Sequence, residues 1–222
     1  MTASDSSSET DPIADPAKAV LLDYLRVRRA DLLAKLDGLG EYEVRRPMTP
    51  TGTNLLGLVK HVASVELGYF GEVFGRPTRE LPWYAEGAEP DGDMWAFADE
   101  TRAEIIELHR YSAEHSDATI EALPLDARGE VPWWTPERRV VTLQQILVHM
   151  IAETARHAGH ADIIRESIDG AIGNGPVDPN IPQRSAAEWD AYRSRLETAA
   201  RTAAAGEGAP STPPPPPAPP VR

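Results

Sequence analysis

The 222-residue sequence contains no cysteine, which excludes disulfides, thiolate metal sites and cysteine nucleophiles. Any bound metal must therefore be held by imidazole and carboxylate groups. Basic residues are also in short supply: 22 Lys and Arg stand against 35 Asp and Glu, giving a net charge of −13. Nucleic acids and anionic membranes both require a basic face on the protein. The charge therefore argues against either as a partner.

Long apolar runs are missing as well. No stretch approaches the roughly 18 apolar residues that a membrane-spanning helix needs. Residues 1–15 are acidic and rich in serine, without the apolar segment of a secretory signal. These features predict a cytoplasmic protein.

The two ends of the chain differ in composition from the middle. Residues 1–15 have too few apolar side chains to form a core and are predicted to be a disordered lead. Residues 205–222 contain five consecutive prolines and are predicted to be a disordered tail of polyproline II character. The remaining residues, 16–204, are long enough for one domain with a sizeable core.

Between these ends, apolar residues recur at helical spacing in four long segments, and a fifth helix follows late in the chain. Long loops separate the four segments, which predicts an all-α, four-helix bundle with at least one crossover connection and an additional C-terminal helix. The helices are expected from Pro16 to the glycines at 38 and 40, from Thr53 or Asn54 to about Phe74, over about 93–123, from Thr142 to about Ile168, and from Ser185 onward.

Two long polar loops, 75–93 and 124–141, carry or adjoin four of the five tryptophans and one tyrosine. Such residues are unusual in polar segments, so the first loop is predicted to fold back over the bundle as a lid. The tryptophans at 83, 133 and 134 either line a pocket mouth or pack within the lid. A brief strand pairing between the VPWW and RRVV segments of the second loop is also expected. The aromatic residues are Trp83, Tyr84, Trp95, Trp133 and Trp134.

The fourth helix carries four ionisable side chains on one stripe. At 100° per residue they fall within about 80° of arc. Apolar neighbours border the stripe, so it points at least partly inward, where such groups are costly unless something pairs with them. A divalent metal would do so. The four are His149, Glu153, His157 and His160.

Spacing limits which of these residues can share an ion. His149 and His157 are eight residues apart, about 12 Å along the helix, too far for ligand bonds of about 2.0–2.2 Å. The ligand pair is therefore Glu153 with His157, or His149 with Glu153, and a third ligand comes from another helix. A surface ion pair between Glu153 and His157 is the alternative that involves no metal.

His61 is the strongest candidate for the third ligand. It lies in the middle of the second helix, with Leu58 and Val65 on its face. Gly57 and Gly68, on the same side, are expected to let a neighbouring helix approach closely. A lone histidine on an apolar face is more often a core residue bonded to a backbone carbonyl, so the case depends on the two helices occurring together.

Two motifs resemble the DinB/YfiT-like superfamily of metalloenzymes, in particular its actinobacterial branch of unknown function. They are L-x-x-L-V-x-H-x-x-x-x-E on the second helix and H-M-I-x-E-T-A-R-H-A-G-H-A-D-I-I-R-E on the fourth. The resemblance covers about residues 17–200. It implies a four-helix bundle with a metal site open on one side, and a homodimer is a further expectation.

The resemblance also implies the ligands. The superfamily usually has one histidine on the second helix and H-x-x-x-H on the fourth. Here His61 and His157 match, while Glu153 replaces the first histidine of the pair. This His, Glu, His set is similar to the metal-binding domain of mycothiol-dependent maleylpyruvate isomerase. His160, where many relatives have glutamine, is expected to contact substrate or metal-bound water and is not counted as a ligand.

Two imidazoles and one carboxylate leave a coordination position open, as in catalytic zinc sites. Zinc is the expected metal, although nickel, iron and manganese suit the same donors. The resemblance favours a transferase or isomerase in which the metal activates a small thiol toward an electrophilic substrate. The thiol would be mycothiol if the source is an actinobacterium, which the Arg-rich, Lys-poor composition favours.

Two catalytic residues are predicted, His160 and Arg156. Arg156 would meet a carboxylate of the thiol conjugate, and its alternative is surface charge pairing. Two other functions stay open at this point. One is metal-dependent hydrolysis through an activated water, and the other is a non-catalytic, stress-related metal-binding bundle.

Overall fold

The structure is a computed structural model that describes residues 15–173 and 178–206. Apart from the few terminal positions at 15, 205 and 206, the predicted lead and the predicted proline-rich tail lie outside the described residues. The chain divides into two compact units between Asp178 and Pro179.

The first unit is an all-α bundle of four long helices, which confirms the predicted fold class. α3 packs against α4 and α5, while α1 packs against α5 and α4. A short helix and two single turns of 3₁₀ helix, Glu72–Phe74 and Pro82–Tyr84, lie between the long helices. The helices are α1 (Pro16–Ala34), α2 (Glu41–Arg45), α3 (Leu55–Phe70), α4 (Arg102–Ala122) and α5 (Leu143–Asp169).

Side-chain caps fix where three of the long helices begin. The carboxylate of Asp15 accepts from the backbone N–H groups at the start of α1. Asn54 and Thr142 cap α3 and α5 in the same way, so the predicted starts of these helices are confirmed. α5 ends at Gly170, which takes the left-handed conformation (φ 78°) that glycine accepts without strain.

The third long helix begins later than predicted. α4 starts at Arg102, not near 93, because Thr101 and Glu104 form a reciprocal capping box there. α3 likewise ends at Phe70, earlier than the predicted Phe74. Residues 93–101 therefore belong to the connector between α3 and α4 and not to a helix.

Strand pairing in the second loop is brief, and its partner differs from the prediction. β1 (Arg128–Glu130) pairs antiparallel with β2 (Val140–Thr142), with Gly129 opposite Val141. The RRVV segment thus contributes to a strand. The VPWW segment forms no strand, but the Val131 N–H donates to the carbonyl of Arg139 (2.8 Å), so the two segments do make one backbone contact.

The core has an apolar part toward each end of the bundle, and α3 contributes to both. Burial of each large apolar side chain stabilises the fold by about 1.5–3 kcal/mol, so this packing fixes the register of α3 against α5. Buried representatives are Leu25, Phe70, Leu143 and Leu147 in one part and Leu32, Leu58, Val62 and Ile164 in the other.

The second unit contains α6 (Ala186–Gly206). The hydroxyl of Ser185 and the carboxylate of Glu188 cap its first turn reciprocally, as the sequence predicts. Among the helices of the two described stretches, none combines the length and apolarity that crossing a bilayer requires.

Candidate metal centre

His61, Glu153 and His157 come together between α3 and α5. Each offers one ligand atom, and these atoms lie within 4.8 Å of one another. His157 Nε2 is 3.0 Å from Glu153 Oε1, and His61 Nε2 is 3.7 Å from the same oxygen. The four-residue spacing on α5 places Glu153 and His157 side by side, and α3 supplies the third group.

The spacing of the three groups fits a small divalent cation. In a tetrahedral site with bonds of about 2.0–2.1 Å, neighbouring ligand atoms are about 3.4 Å apart. The two distances to the Glu153 oxygen lie on either side of that value, and all three ligand atoms lie within 4.8 Å of one another. The side chains are 12–29% exposed, so the cluster is partly shielded yet open to solvent.

Charge and burial favour the protonation states that bind metals. Burial lowers the pKa of His157, and the nearby His61 lowers it further, so the imidazole is held neutral. Partial burial alone would raise the pKa of Glu153, but its electrostatic interaction and hydrogen bond with His157 bring it below its ordinary value. A neutral imidazole and an ionised carboxylate are the ligating forms.

Asp93 orients the ring of His61. Its Oδ2 lies 2.7 Å from His61 Nδ1 and also accepts a hydrogen bond of 3.1 Å from the Tyr84 hydroxyl. Because a carboxylate can only accept, the Nδ1 of His61 carries the proton and Nε2 is left free to face Glu153. Sequence reasoning missed Asp93 because it placed that residue in the third helix. The Thr101-x-x-Glu104 capping pattern was the available signal.

Lys60, next to His61 in the chain, anchors the connector. Its side chain is fully buried, and its ammonium group donates to Glu100 Oε2 (2.7 Å) and to the carbonyl of Trp95 (3.0 Å). The same group lies 4.0 Å from the centroid of a Trp83 ring. The aromatic connector therefore does fold back against the bundle.

Gly57 and Gly68 are approached by loops, so the expectation of a neighbouring helix there was wrong. A Cβ on Gly57 would lie 1.9 Å from the carbonyl oxygen of Met94. A Cβ on Gly68 would lie 3.2 Å from the ring of Trp133. The two glycines thus allow both long loops to approach α3 on the side that carries His61.

His149 lies outside the three-residue cluster. Its ring packs against Tyr69 (4.7 Å between centroids) and against Trp134 (5.3 Å). The hydroxyl of Tyr69 accepts hydrogen bonds from the indole N–H groups of Trp133 and Trp134. The structure therefore pairs Glu153 with His157, and His149 joins an aromatic wall beside them.

Of the two residues predicted to be catalytic, His160 borders the cluster, and Arg156 directly precedes His157 on α5. His160 is exposed, and its ring centroid is 5.4 Å from that of His157. Arg156 is exposed and forms no ion pair with any residue that the structure describes. Arg165, by contrast, pairs with Asp169 at 2.8 Å. The catalytic roles of His160 and Arg156 remain predictions.

Comparison with known proteins identifies the family of the chain. A family model described as mycothiol-S-transferase matches residues 20–170. The match includes α1 to α5 almost completely, together with all three residues of the cluster and Asp93. No match is found among curated proteins. Because the match covers more than half of the sequence, the chain belongs to the mycothiol-S-transferase family.

Proposed function

We propose that this protein is a metal-dependent transferase that joins a low-molecular-weight thiol, mycothiol, to an electrophile. The observation that carries the proposal is the meeting of His61, Glu153 and His157 within 4.8 Å, in a chain of this family. A divalent ion held there would lower the pKa of a thiol, so that its sulfur reacts as the thiolate.

In the reaction, a bond forms between the thiol sulfur and an electrophilic carbon, and the bond from that carbon to its leaving group breaks. The leaving group departs with the electron pair, and the thiol proton passes to a base. His61, Glu153 and His157 would hold the ion, and the hydrogen bond to Asp93 leaves His61 Nε2 free to bind it. The partial exposure of all three ligands leaves a side from which the thiol enters.

His160 and Arg156 are proposed to contact the reactants. His160 lies beside His157 and is exposed, so it is placed to accept the thiol proton or to contact substrate. Arg156 has no described carboxylate partner and is available to a carboxylate of the thiol conjugate. His160→Ala and Arg156→Ala should each lower the turnover but retain the metal, which separates their roles from ligation.

The test is thiol-dependent conjugation of monochlorobimane, followed by fluorescence. Purified protein loaded with Zn²⁺ should accelerate conjugation of mycothiol, and His61→Ala should abolish the acceleration. The matched control is His115→Ala: His115 is on α4 and bonds to the carbonyl of Pro77, outside the cluster. Protein that binds one metal ion yet accelerates no conjugation with any thiol would contradict the proposal and favour a metal-binding module.

A further inference from the structure

A groove of about 450 Å³ runs along α3 beside the candidate metal centre. Its walls include the apolar side chains of Val65 and Leu81 and the rings of Tyr69, Tyr84 and Trp133. A volume of this size accommodates a small organic molecule, and such walls suit an apolar or aromatic one.

Side chains on two helices and in the connector relate the groove to the centre. Val65 lies one turn after His61 on the same side of α3, since residues four apart share a face. Tyr84 bonds to Asp93, the partner of His61. On the other wall, Tyr69 packs against His149, one turn before Glu153 on α5. The lining of the groove is therefore within about one helical turn of the centre on both α3 and α5.

The charges on the rim are mostly negative. Glu72 and Glu80 line the groove and are exposed, and no cation in the described part of the chain lies within ion-pair distance of either. Arg79 also lines it, but its guanidinium lies over the ring of Tyr111 at 4.6 Å. The rim thus has an excess of negative charge and an aromatic wall, a combination that favours neutral or cationic ligands.

We infer that this groove binds the electrophilic acceptor, and that it selects apolar aromatic acceptors that are neutral or cationic over anionic ones. The inference rests on the proposed transferase function. Within the centre, the two charges of a divalent ion would be balanced by Glu153 and the thiolate. The two rim carboxylates are then left to discriminate among acceptors by charge.

Binding is tested first, with unreactive ligands that need no turnover. Methyl para-methylbenzoate is neutral, and para-methylbenzoate is an anion with the same ring. With the full chain loaded with Zn²⁺ and saturated with mycothiol, which occupies the open position on the ion, titration followed by tryptophan fluorescence should show the neutral ligand binding about tenfold more tightly. The preference should shrink as salt is raised, because the rim carboxylates are exposed. Equal binding, or tighter binding of the anion, would overturn the inference.

Two sets of variants place the effect in the groove. In the double variant Glu72→Gln, Glu80→Gln, the ratio of the affinity for the neutral ligand to the affinity for the anion should fall about tenfold. The control is Glu166→Gln, which changes an exposed carboxylate 13 residues beyond Glu153 and should leave this ratio unchanged. Gly68→Ala should weaken binding of the neutral ligand several-fold by crowding Trp133. Gly159→Ala, where an added Cβ meets nothing within 4 Å, is its matched control. An unchanged ratio in the double variant would overturn the inference.

Turnover separates this inference from the proposed function. The reactive counterparts are methyl para-(bromomethyl)benzoate and para-(bromomethyl)benzoate. In each, sulfur displaces bromide, which leaves with the electron pair, while the thiol proton is released. A kcat/KM about tenfold higher for the ester supports the acceptor assignment. Transfer at equal rates to both overturns the charge selection alone, whereas selective binding with no transfer overturns the acceptor role together with the proposed function.

Discussion

His61 and Asp93 are joined by a hydrogen bond of 2.7 Å between the ring Nδ1 and the carboxylate Oδ2. The bond links the middle of α3 to the connector that follows it. It sets the tautomer of His61 and directs the other ring nitrogen toward Glu153, 3.7 Å away. A loop residue therefore determines how a helix residue faces the candidate metal centre.

Asp93→Asn should weaken metal binding by about 10–100-fold without changing the helical content, since it removes the orienting charge but not a ligand. Affinity is measured by competition with a chromogenic zinc chelator. Asp91→Asn is the control in the same loop, because that backbone (φ 56°) is one that asparagine tolerates. An Asp93→Asn protein with the affinity of the parent would show that the hydrogen bond does not orient His61.

Lys60→Met should loosen the connector. The change leaves the Glu100 carboxylate without its cation, and unfolding free energy should drop by about 2–3 kcal/mol, less than for a fully buried pair. Limited proteolysis should then cleave within 75–101 faster than in the parent. Within the described residues, the ammonium group of Lys18 bonds to two carbonyls at the end of α4 and to no part of the connector, so Lys18→Met should leave the cleavage rate there unchanged.

The buried pair of Arg29 and Glu66 holds α1 against α3. The guanidinium makes two hydrogen bonds to the carboxylate, at 3.1 and 2.5 Å, and both side chains are almost fully buried. Arg29→Leu would leave the buried Glu66 carboxylate without its cation, so urea denaturation should show a decrease of about 3–5 kcal/mol in the unfolding free energy. Arg26→Leu removes a more exposed pair with Asp117 and should cost less than about 1 kcal/mol. Equal losses in the two variants would contradict this account.

Stability should fall as the pH drops below about 6.5, in part because of His109. Burial lowers the pKa of His109 below its ordinary value of 6.5. At a pH between these two pKa values, the side chain is protonated in the unfolded chain and neutral in the folded one. The loss begins at the unfolded pKa and continues down to the folded one, with a slope of at most about 1.4 kcal/mol per pH unit.

His109→Leu tests whether His109 contributes to this pH dependence. The quantity compared is the slope of unfolding free energy against pH, not the stability at a single pH. Urea midpoints of the parent and the variant are compared between pH 7.5 and 5.5. His149 and His157 also have lowered pKa values and remain in both proteins, so the difference in slope isolates His109. Parallel pH profiles would show that His109 does not contribute.

The sequence was sufficient for the bundle and for the three clustered residues, because both depend on regular helices. Apolar periodicity and the caps at Asn54 and Thr142 determine the phase of α3 and α5. Once those phases are known, the inward-facing positions of His61, Glu153 and His157 follow. Spacing alone left His149 with Glu153 as an alternative pair, and the resemblance to the superfamily favoured His157.

The connector could not be predicted in the same way. The placement of Asp93 and the burial of Lys60 depend on contacts between residues 32 to 40 positions apart, in a segment without regular structure. Helical spacing gives no information about such contacts. Because α4 was predicted to start near 93, Asp93 and Glu100 were assigned to a helix and not to a loop that packs on α3. Gly57 did indicate that another part of the chain approaches α3 closely. A neighbouring helix was expected there, whereas the structure has the carbonyl of Met94.

Metal content tests the central claim most directly. Protein purified without chelator, or reloaded with Zn²⁺ and desalted, should carry about one ion per chain by elemental analysis. His61→Ala, Glu153→Gln and His157→Ala should each lose it, whereas His160→Ala and His149→Ala should keep it. Full metal content in any of the first three variants, or no metal in the parent protein, would contradict the claim that these residues hold the ion.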